Sequence, residues 1–336
     1  MPEGCGMPAP GLVPLDGARR LYGLSRDIYA PVLLAFAARC LDDLRDDPRS
    51  INLCLGRDGI SAFLAQHALL RLAPRGDGGL DPARVRLIYL SRGLLAAAGT
   101  SAARRRLLDA YLRAYGLGRG GRITLIDVGI HGVIQDTLQR LYPDQSLRGE
   151  YLILSHPRGE RARATKRGFL VERGGGARVG ALDGVAGAAR VRGDSAFLRR
   201  DAIHLLEDLW SGVYESVTAL RVDTASGRAR PVFRGLGTLS RLPVPAAEVV
   251  RLKRVALRGV VDGVTLAARR AVNVAGGGNL GGLVGVRSAA ATAPAIARLA
   301  AWIATTRDPA SPDAWLWETL IRGAGSAGGG DDLDSS

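Results

Sequence analysis

The sequence is nearly devoid of lysine. Lys166 and Lys253 are its two lysines, so arginine carries most of the positive charge behind a net charge of +14. A GC-rich genome favours arginine codons and explains this bias without reference to function. Arginine also suits phosphate, because its planar fork binds two oxygens at once. Aromatic residues make up 5% of the chain, and no basic stripe interleaves with them, which argues against nucleic acid as the partner.

Cysteine and long apolar runs are equally scarce. Cys5, Cys40 and Cys54 are widely spaced and form no C-x-x-C pair, which argues against a disulfide framework and against a zinc motif. No apolar run approaches the roughly 20 residues that a membrane helix needs. The N-terminal segment 1–14 lacks the basic region and apolar core of a secretory signal. We therefore predict a cytoplasmic protein without a membrane contact.

Apolar strands alternate with amphipathic helices through the first half of the chain. This order predicts βαβ units in an α/β fold, a Rossmann-like open parallel sheet with helices on both faces. The predicted strands are Ile51–Leu55, Val85–Leu90, Ile123–Val128 and Tyr151–Leu154, with Gly168–Val171 and Val217–Val222 as edge strands. The predicted helices are Arg26–Arg45, Ser61–Leu72, Ala103–Tyr115, Val133–Tyr142, Asp201–Tyr214, Pro245–Val272 and Ala293–Thr306.

Composition divides the chain into four parts. We predict a disordered N-terminus over 1–18, which is rich in proline and glycine, and an α/β phosphate-binding domain over 19–240. A mainly helical C-terminal region follows over 241–322, and a disordered acidic tail ends the chain over 323–336.

Polar residues follow three of the predicted strands. The first strand leads into Arg57, Asp58 and Gly59, the second into Ser91 and Arg92, and the third into Asp127, Gly129, His131 and Gly132. Ligands of open α/β sheets bind outside the carboxyl ends of the strands, where helix N-termini attract anions. The pattern predicts a phosphate or pyrophosphate site. The alternative interpretation is structural, with the glycines forming tight turns and one arginine pairing with the adjacent aspartate.

The run from Ile123 to Val133 resembles the phosphoribosyl-pyrophosphate loop of type I phosphoribosyltransferases. In that family a strand ends in two acids, and a glycine follows the second acid after four residues; Asp127 and Gly132 keep this spacing. The run Leu53–Gly59 is similar to the family's pyrophosphate-binding turn. Ile126 takes the place of the first acid, and His131 and Ile134 replace hydroxyl residues.

A second resemblance covers residues 23–235. The pattern joins the three strand ends to Gln135, to the helix segment His204–Glu207 and to Pro231–Phe233. It is similar to a module of bacterial polysaccharide-biosynthesis proteins that are labelled predicted haloacid-dehalogenase-superfamily hydrolases. Their hydrolase activity belongs to an N-terminal domain whose D-x-D-x-[TV] motif this sequence lacks, so that activity is not carried over.

The transferase resemblance implies an enzyme that moves ribose 5-phosphate from phosphoribosyl pyrophosphate to a small acceptor. A sugar or aminoglycoside hydroxyl in antibiotic biosynthesis is one such acceptor. Mg²⁺ and Arg57 would stabilise the departing pyrophosphate. Asp127 would hold the ribose hydroxyls, and the loop from Gly129 to Gly132 would bind the 5′-phosphate. His131 would act as the base, with Asp58 as a rival base or a magnesium ligand.

The predicted site therefore comprises catalytic and substrate-binding residues. The catalytic set is Asp58, Asp127 and His131, and the substrate-binding set is Arg57, Gly59, Ser91, Arg92, Gly129, Gly132 and Gln135. Two other functions use the same site: hydrolysis of a phosphate ester, and binding of a phosphorylated metabolite without catalysis. The absent first acid at Ile126 motivates the latter. The oligomeric state is open, with a homodimer as one option.

Overall fold

A computed structural model of the chain describes residues 15–72, 80–118, 120–129, 131–155, 165–173, 197, 199–213, 216–234, 244–274 and 289–321. The predictions made for 1–14 and 323–336 lie outside these residues. Helix α1 (Leu15–Leu24) begins inside the segment predicted to be disordered. Residues 15–18, the last four of that segment, are therefore helical.

A five-stranded parallel sheet forms the centre of the described fold. Its strands are β1 (Ile51–Leu55), β2 (Val85–Ile88), β3 (Ile123–Asp127), β4 (Leu147–Ser155) and β5 (Lys166–Arg173), in the spatial order β2-β1-β3-β4-β5. All four neighbouring pairs are parallel. The α/β prediction with a parallel sheet is thus confirmed. In this order the chain reverses direction across the sheet between β1 and β3, which makes that crevice the topological switch point.

Helices cover both faces of the sheet. One face packs against α2 (Ala30–Asp46) and α3 (Ile60–Leu72), and the other packs against α4 (Arg92–Thr100), α5 (Ala102–Ala114) and α6 (Val133–Leu141). Alternate residues of one strand serve the two cores, as the pleat of a strand requires: Cys54 of β1 belongs to the first core, and Leu53 and Leu55 belong to the second.

The C-terminal helices complete the first core. They are α7 (Arg200–Leu209), α8 (Ala246–Val274), α9 (Ala289–Thr306) and α10 (Trp315–Leu320). Helix α8 packs against α1, α2 and α3, and its buried residues join the same apolar cluster as theirs. The mainly helical C-terminal part is therefore confirmed, and it shares a core with the helices of the N-terminal half.

An aromatic stack fastens α7 to the N-terminal helices. Between α1 and α2 the chain forms a π-helical turn over Ser25–Tyr29. Trp210 stacks on Tyr29 with ring centroids 3.8 Å apart, and its indole N–H donates to the Ser25 hydroxyl at 2.9 Å. Such a pair contributes roughly 0.5–1.5 kcal/mol beyond the area it buries. The stack fixes where α7 lies relative to the sheet.

A separate antiparallel hairpin flanks the sheet. It consists of β6 (Val217–Val222) and β7 (Ala229–Phe233). The sequence predicted β6 with its observed bounds but as an edge strand of the sheet, and this placement is wrong. The hairpin instead packs beside α4 and α5, where the Phe233 ring meets Tyr89 edge-on with centroids 4.9 Å apart.

Strand β4 begins four residues earlier than the sequence predicted, and the added part contains a buried charged residue. Glu150 is fully buried, and its carboxylate lies 2.8 Å from the guanidinium of Arg39 on α2 and 3.6 Å from that of Arg167 on β5. Burial raises the pKa of Glu150 to about 7, against the opposing effect of the Arg39 charge.

Across the described residues, no helix has both the length and the apolar character needed to cross a bilayer.

Candidate functional site

The carboxyl ends of β2, β1 and β3 meet at one edge of the sheet, as the sequence predicted. The three strands are parallel neighbours, so the turns that follow Leu55, Ile88 and Asp127 lie side by side. The turns after β1 and β3 border the switch point directly. Asp127 is the last residue of β3, and every other predicted site residue belongs to one of these turns or to the first turn of the helix that follows.

Arg57 occupies a strained turn after β1. Its φ of 78° places a non-glycine residue in the left-handed region, which costs on the order of 1–3 kcal/mol and favours functional positions. The backbone N–H of Gly212, just after α7, donates to the Arg57 carbonyl at 2.7 Å. The Arg57 guanidinium forms a two-pronged pair with Asp58, with N···O distances of 2.7 and 2.9 Å. The local ion pair considered from the sequence is therefore present.

Gly59 lets α3 approach the sheet. A Cβ at this position would lie 2.6 Å from the carbonyl oxygen of Leu55 and 2.8 Å from that of Ile126. Because these are backbone atoms of β1 and β3, they have little freedom to move. Gly59 thus brings the start of α3 against the switch point, and its substrate contact stays a prediction.

Asp127 ends β3 with one carboxylate oxygen bonded and the other free. Backbone N–H groups of Val128 and Gly129 donate to the carboxylate. Its Oδ1 atom is buried and has no hydrogen-bond partner among the described residues. Burial, together with the nearby Asp58 charge, raises the pKa of Asp127 to about 7. A buried acceptor of this kind fits a ligand that brings a hydroxyl donor.

Glu207 on α7 is a site residue that the sequence analysis did not assign. Burial raises the pKa of Glu207 to about 8, and the charges of Asp58 and Asp127 act in the same direction. Glu207 therefore lies within electrostatic range of the two aspartates. The sequence signal was its place in the segment His204–Glu207, but only the docking of α7 brings that segment to the switch point. Its neighbours His204 and Asp208 both have partners of their own.

The loop after β3 leads into the N-terminus of α6. Gly132 is the N-cap residue, with a φ of 64°, and no side chain caps this helix end. The first N–H groups of α6 are therefore available to an anion. Below the loop, the buried Lys166 ammonium donates to the His131 carbonyl at 3.2 Å and pairs with Asp136 at 2.7 Å. The His131 residue itself is exposed.

Gln135 and Ser91 use their polar atoms within the protein. The buried Gln135 amide donates to the Thr165 hydroxyl at 3.1 Å and accepts from the Tyr151 hydroxyl at 2.9 Å. The Ser91 hydroxyl caps α4 by accepting from the Leu94 N–H, and it donates to the Val217 carbonyl at 2.6 Å. These contacts explain both residues structurally, and their substrate-binding roles stay predictions. Arg92 is exposed at the same edge.

The charge at the switch point is more acidic than the sequence suggested. Three carboxyl groups, from Asp58, Asp127 and Glu207, interact electrostatically around one guanidinium. Both oxygens of Asp58 are engaged by Arg57. Among the described residues, no three or more His, Cys, Asp or Glu side chains come together as a metal-binding group. The Mg²⁺ role proposed for Asp58 stays a prediction.

A cavity of about 650 Å³ lies at the opposite edge of the sheet. It is bordered by the end of α5 and by the loop that follows α6. Its polar groups bond to one another: Asp109 accepts from Arg105 at 3.0 Å and from the Tyr142 hydroxyl at 2.5 Å. The cavity is remote from the carboxyl ends of the strands, and we assign it no part in the site.

No family model matches the sequence, and a search of curated proteins finds no match either. The fold and the site define the class: a doubly wound α/β protein with a polar site at its switch point. That site joins a buried acceptor, an uncapped helix N-terminus and a cluster of carboxyl groups. Any finer assignment of function must come from the chemistry of these groups.

Proposed function

We propose that the protein is a phosphoribosyltransferase-like enzyme, which moves ribose 5-phosphate from phosphoribosyl pyrophosphate to a small acceptor. The observation that carries the proposal is the buried Oδ1 of Asp127, which has no partner among the described residues and lies at the end of β3, before the loop to the uncapped N-terminus of α6. The Oδ1 atom needs a hydroxyl donor, and the helix N-terminus attracts an anion. A ribose phosphate supplies both on one small molecule.

Each part of the donor has a matching group in this proposal. Asp127 accepts hydrogen bonds from the ribose hydroxyls, and the N–H groups at the start of α6 bind the 5′-phosphate. Arg57 turns from Asp58 to the pyrophosphate, since a polyanion competes well for a guanidinium. Mg²⁺ enters with the donor in this proposal, bound to the pyrophosphate oxygens, as is usual for Mg²⁺ at phosphate substrates.

The transfer step exchanges one bond at C1 of the ribose. The bond from C1 to the pyrophosphate oxygen breaks, and pyrophosphate leaves with the electron pair. The acceptor oxygen or nitrogen bonds to C1, and its proton passes to a carboxylate. Glu207, with a pKa of about 8, suits this role near neutral pH. His131 and Asp58 remain the candidates proposed from the sequence.

The carboxyl cluster favours a cationic acceptor. Asp58, Asp127 and Glu207 repel one another in the folded protein, which raises the pKa of Asp127 and Glu207 beyond the effect of burial. An ammonium group in the crevice would offset that repulsion. An amino sugar carries such a group beside its hydroxyls, which supports the aminoglycoside type of acceptor, despite the positive charge of the chain as a whole.

Titration calorimetry with phosphoribosyl pyrophosphate and Mg²⁺ tests the donor. We expect binding by the wild-type protein and at least a tenfold loss in Asp127→Asn, because the amide presents one acceptor fewer to the ribose hydroxyls. Asp144→Asn is the matched control: Asp144 is exposed in the loop after α6, at the far edge of the sheet.

Three results would contradict this proposal. If the wild-type protein does not bind phosphoribosyl pyrophosphate, this compound is not the donor. If the protein releases inorganic phosphate from simple esters and Asp127→Asn abolishes this release, the activity is hydrolysis and not transfer. Binding without turnover, across a panel of amino sugars and other acceptors, replaces the enzyme with a metabolite-binding protein.

A further inference from the structure

The two lysines share an environment that the many arginines do not. Lys166 on β5 and Lys253 on α8 are each 1% exposed. Each ammonium donates to a backbone carbonyl and also contacts a side-chain oxygen. The residue after each lysine is an arginine, Arg167 or Arg254, and the side chain of Arg167 is 45% exposed while Arg254 is exposed on α8. In a chain that otherwise uses arginine, these two positions retain lysine where the side chain is buried.

Lys166 sets the orientation of one peptide group in the loop after β3. Its ammonium draws the His131 carbonyl inward. The C=O and N–H of a planar trans peptide point in opposite directions, so the N–H of Gly132 points away from Lys166. Gly132 also packs directly on the lysine: a Cβ there would lie 2.9 Å from Lys166 Cε and 2.7 Å from the Tyr151 hydroxyl.

Lys253 orients a second segment at the switch point, the end of α7 next to the Arg57 turn. Its ammonium donates to the Asp208 carbonyl, near the C-terminus of α7, and to the Ser211 hydroxyl at 2.7 Å. A cation at this end of a helix is favourable. The next residue, Gly212, donates its N–H to the Arg57 carbonyl at 2.7 Å. Lys253 is thus connected through two residues to the strained turn that carries Arg57.

We infer that Lys166 and Lys253 are positioning residues, which hold the loop before α6 and the turn at Arg57 in the conformation that binds the phosphorylated ligand. The inference rests on the proposed function for the identity of that ligand. A compact ammonium on a flexible stem reaches a carbonyl and a neighbouring oxygen in a closed space, whereas a guanidinium is a broad, planar fork. This difference explains why arginine does not replace lysine at these two positions.

The test compares Lys166→Met and Lys253→Met with Arg167→Met and Arg254→Met, which alter the adjacent residue in each case. Calorimetry with phosphoribosyl pyrophosphate and Mg²⁺ measures binding, and amide hydrogen exchange measures the backbone without any ligand. We expect binding to weaken at least tenfold in the lysine variants and to change less than twofold in the arginine variants. We also expect exchange to accelerate at least tenfold over 131–134 in Lys166→Met and over 210–213 in Lys253→Met, with β1 and β3 unchanged.

The two measurements separate the inference from the proposed function. If the wild-type protein binds no donor, the proposed function fails and hydrogen exchange alone decides the inference. If the lysine variants match the wild type in binding and local exchange, the inference is overturned. Wild-type binding in Lys166→Arg and Lys253→Arg would overturn it too, because charge alone would then suffice. Should Lys253→Met not fold, Ser211→Ala removes one half of the same contact and is expected to accelerate exchange over 210–213.

Discussion

Alanine in place of Gly59 is expected to lower the free energy of unfolding by about 1–3 kcal/mol, the usual range for overpacking a closed interior. The added methyl would meet the backbone oxygens of Leu55 and Ile126 at 2.6 and 2.8 Å. These atoms belong to adjacent strands at the centre of the sheet, so relief requires α3 to move outward. Urea unfolding followed by circular dichroism measures the change through its midpoint.

The same substitution at Gly93 is the matched control. Gly93 lies near the start of α4, where a Cβ would meet nothing within 4 Å. Alanine there removes the conformational freedom of glycine from a helix, and we expect a gain of about 0.5–1 kcal/mol. Equal midpoints for the two variants would contradict the close approach of α3 to β1 and β3.

The stability of the wild-type protein is expected to fall as pH rises from 5 to 9. The pKa values of Asp127 and Glu150 are raised to about 7 and that of Glu207 to about 8, well above their ordinary values near 4. At a pH between the ordinary pKa of a group and its raised pKa, the group keeps its proton in the folded state and has lost it in the unfolded state. Each group therefore removes up to about 1.4 kcal/mol per pH unit as pH rises, until its folded pKa is passed.

Single variants assign this pH dependence to particular groups. Asp127→Asn and Glu207→Gln should each flatten the slope, and the effect of Glu207→Gln should extend to a higher pH because the pKa of Glu207 is about 8 and that of Asp127 is about 7. Asp144→Asn should leave the slope unchanged. Comparison of each variant with the wild type isolates the contribution of the substituted group. A wild-type stability that is constant or increases from pH 5 to 9 would show that these carboxyl groups titrate normally.

Strands that are simple apolar runs could be predicted from the sequence, and strands that contain charge could not. The bounds of β1 were predicted correctly, because five apolar or amide residues stand between Ser50 and Gly56. The start of β4 was missed because Arg148 and Glu150 look like loop residues. Glu150 enters the sheet only because Arg39, on a distant helix, provides a counter-charge.

Helix α4 was missed for a local reason. Gly93 and Gly99 weaken its helical pattern. The helix forms nonetheless, because the Ser91 side chain caps its first turn and Leu94 and Leu95 are buried in the core beneath it.

The candidate site also contains residues that could be predicted from the sequence and residues that could not. Residues at the end of a strand or shortly after it, such as Asp127 and Arg57, could be placed at one edge from the order of the elements alone. Glu207 could not, because its position depends on the Trp210 stack and on the bond from Gly212 to Arg57. The excess of carboxyl groups at the switch point was hidden by the arginine-rich composition of the whole chain.

The burial of both lysines makes ε-amino chemistry a reporter of global unfolding. An amine-reactive reagent has no lysine to modify in the native protein, since Lys166 and Lys253 are each 1% exposed. The same is true of an endoprotease that cleaves after lysine. Acylation or cleavage at these two positions would then count unfolded molecules directly, whereas trypsin would also cut at the many surface arginines.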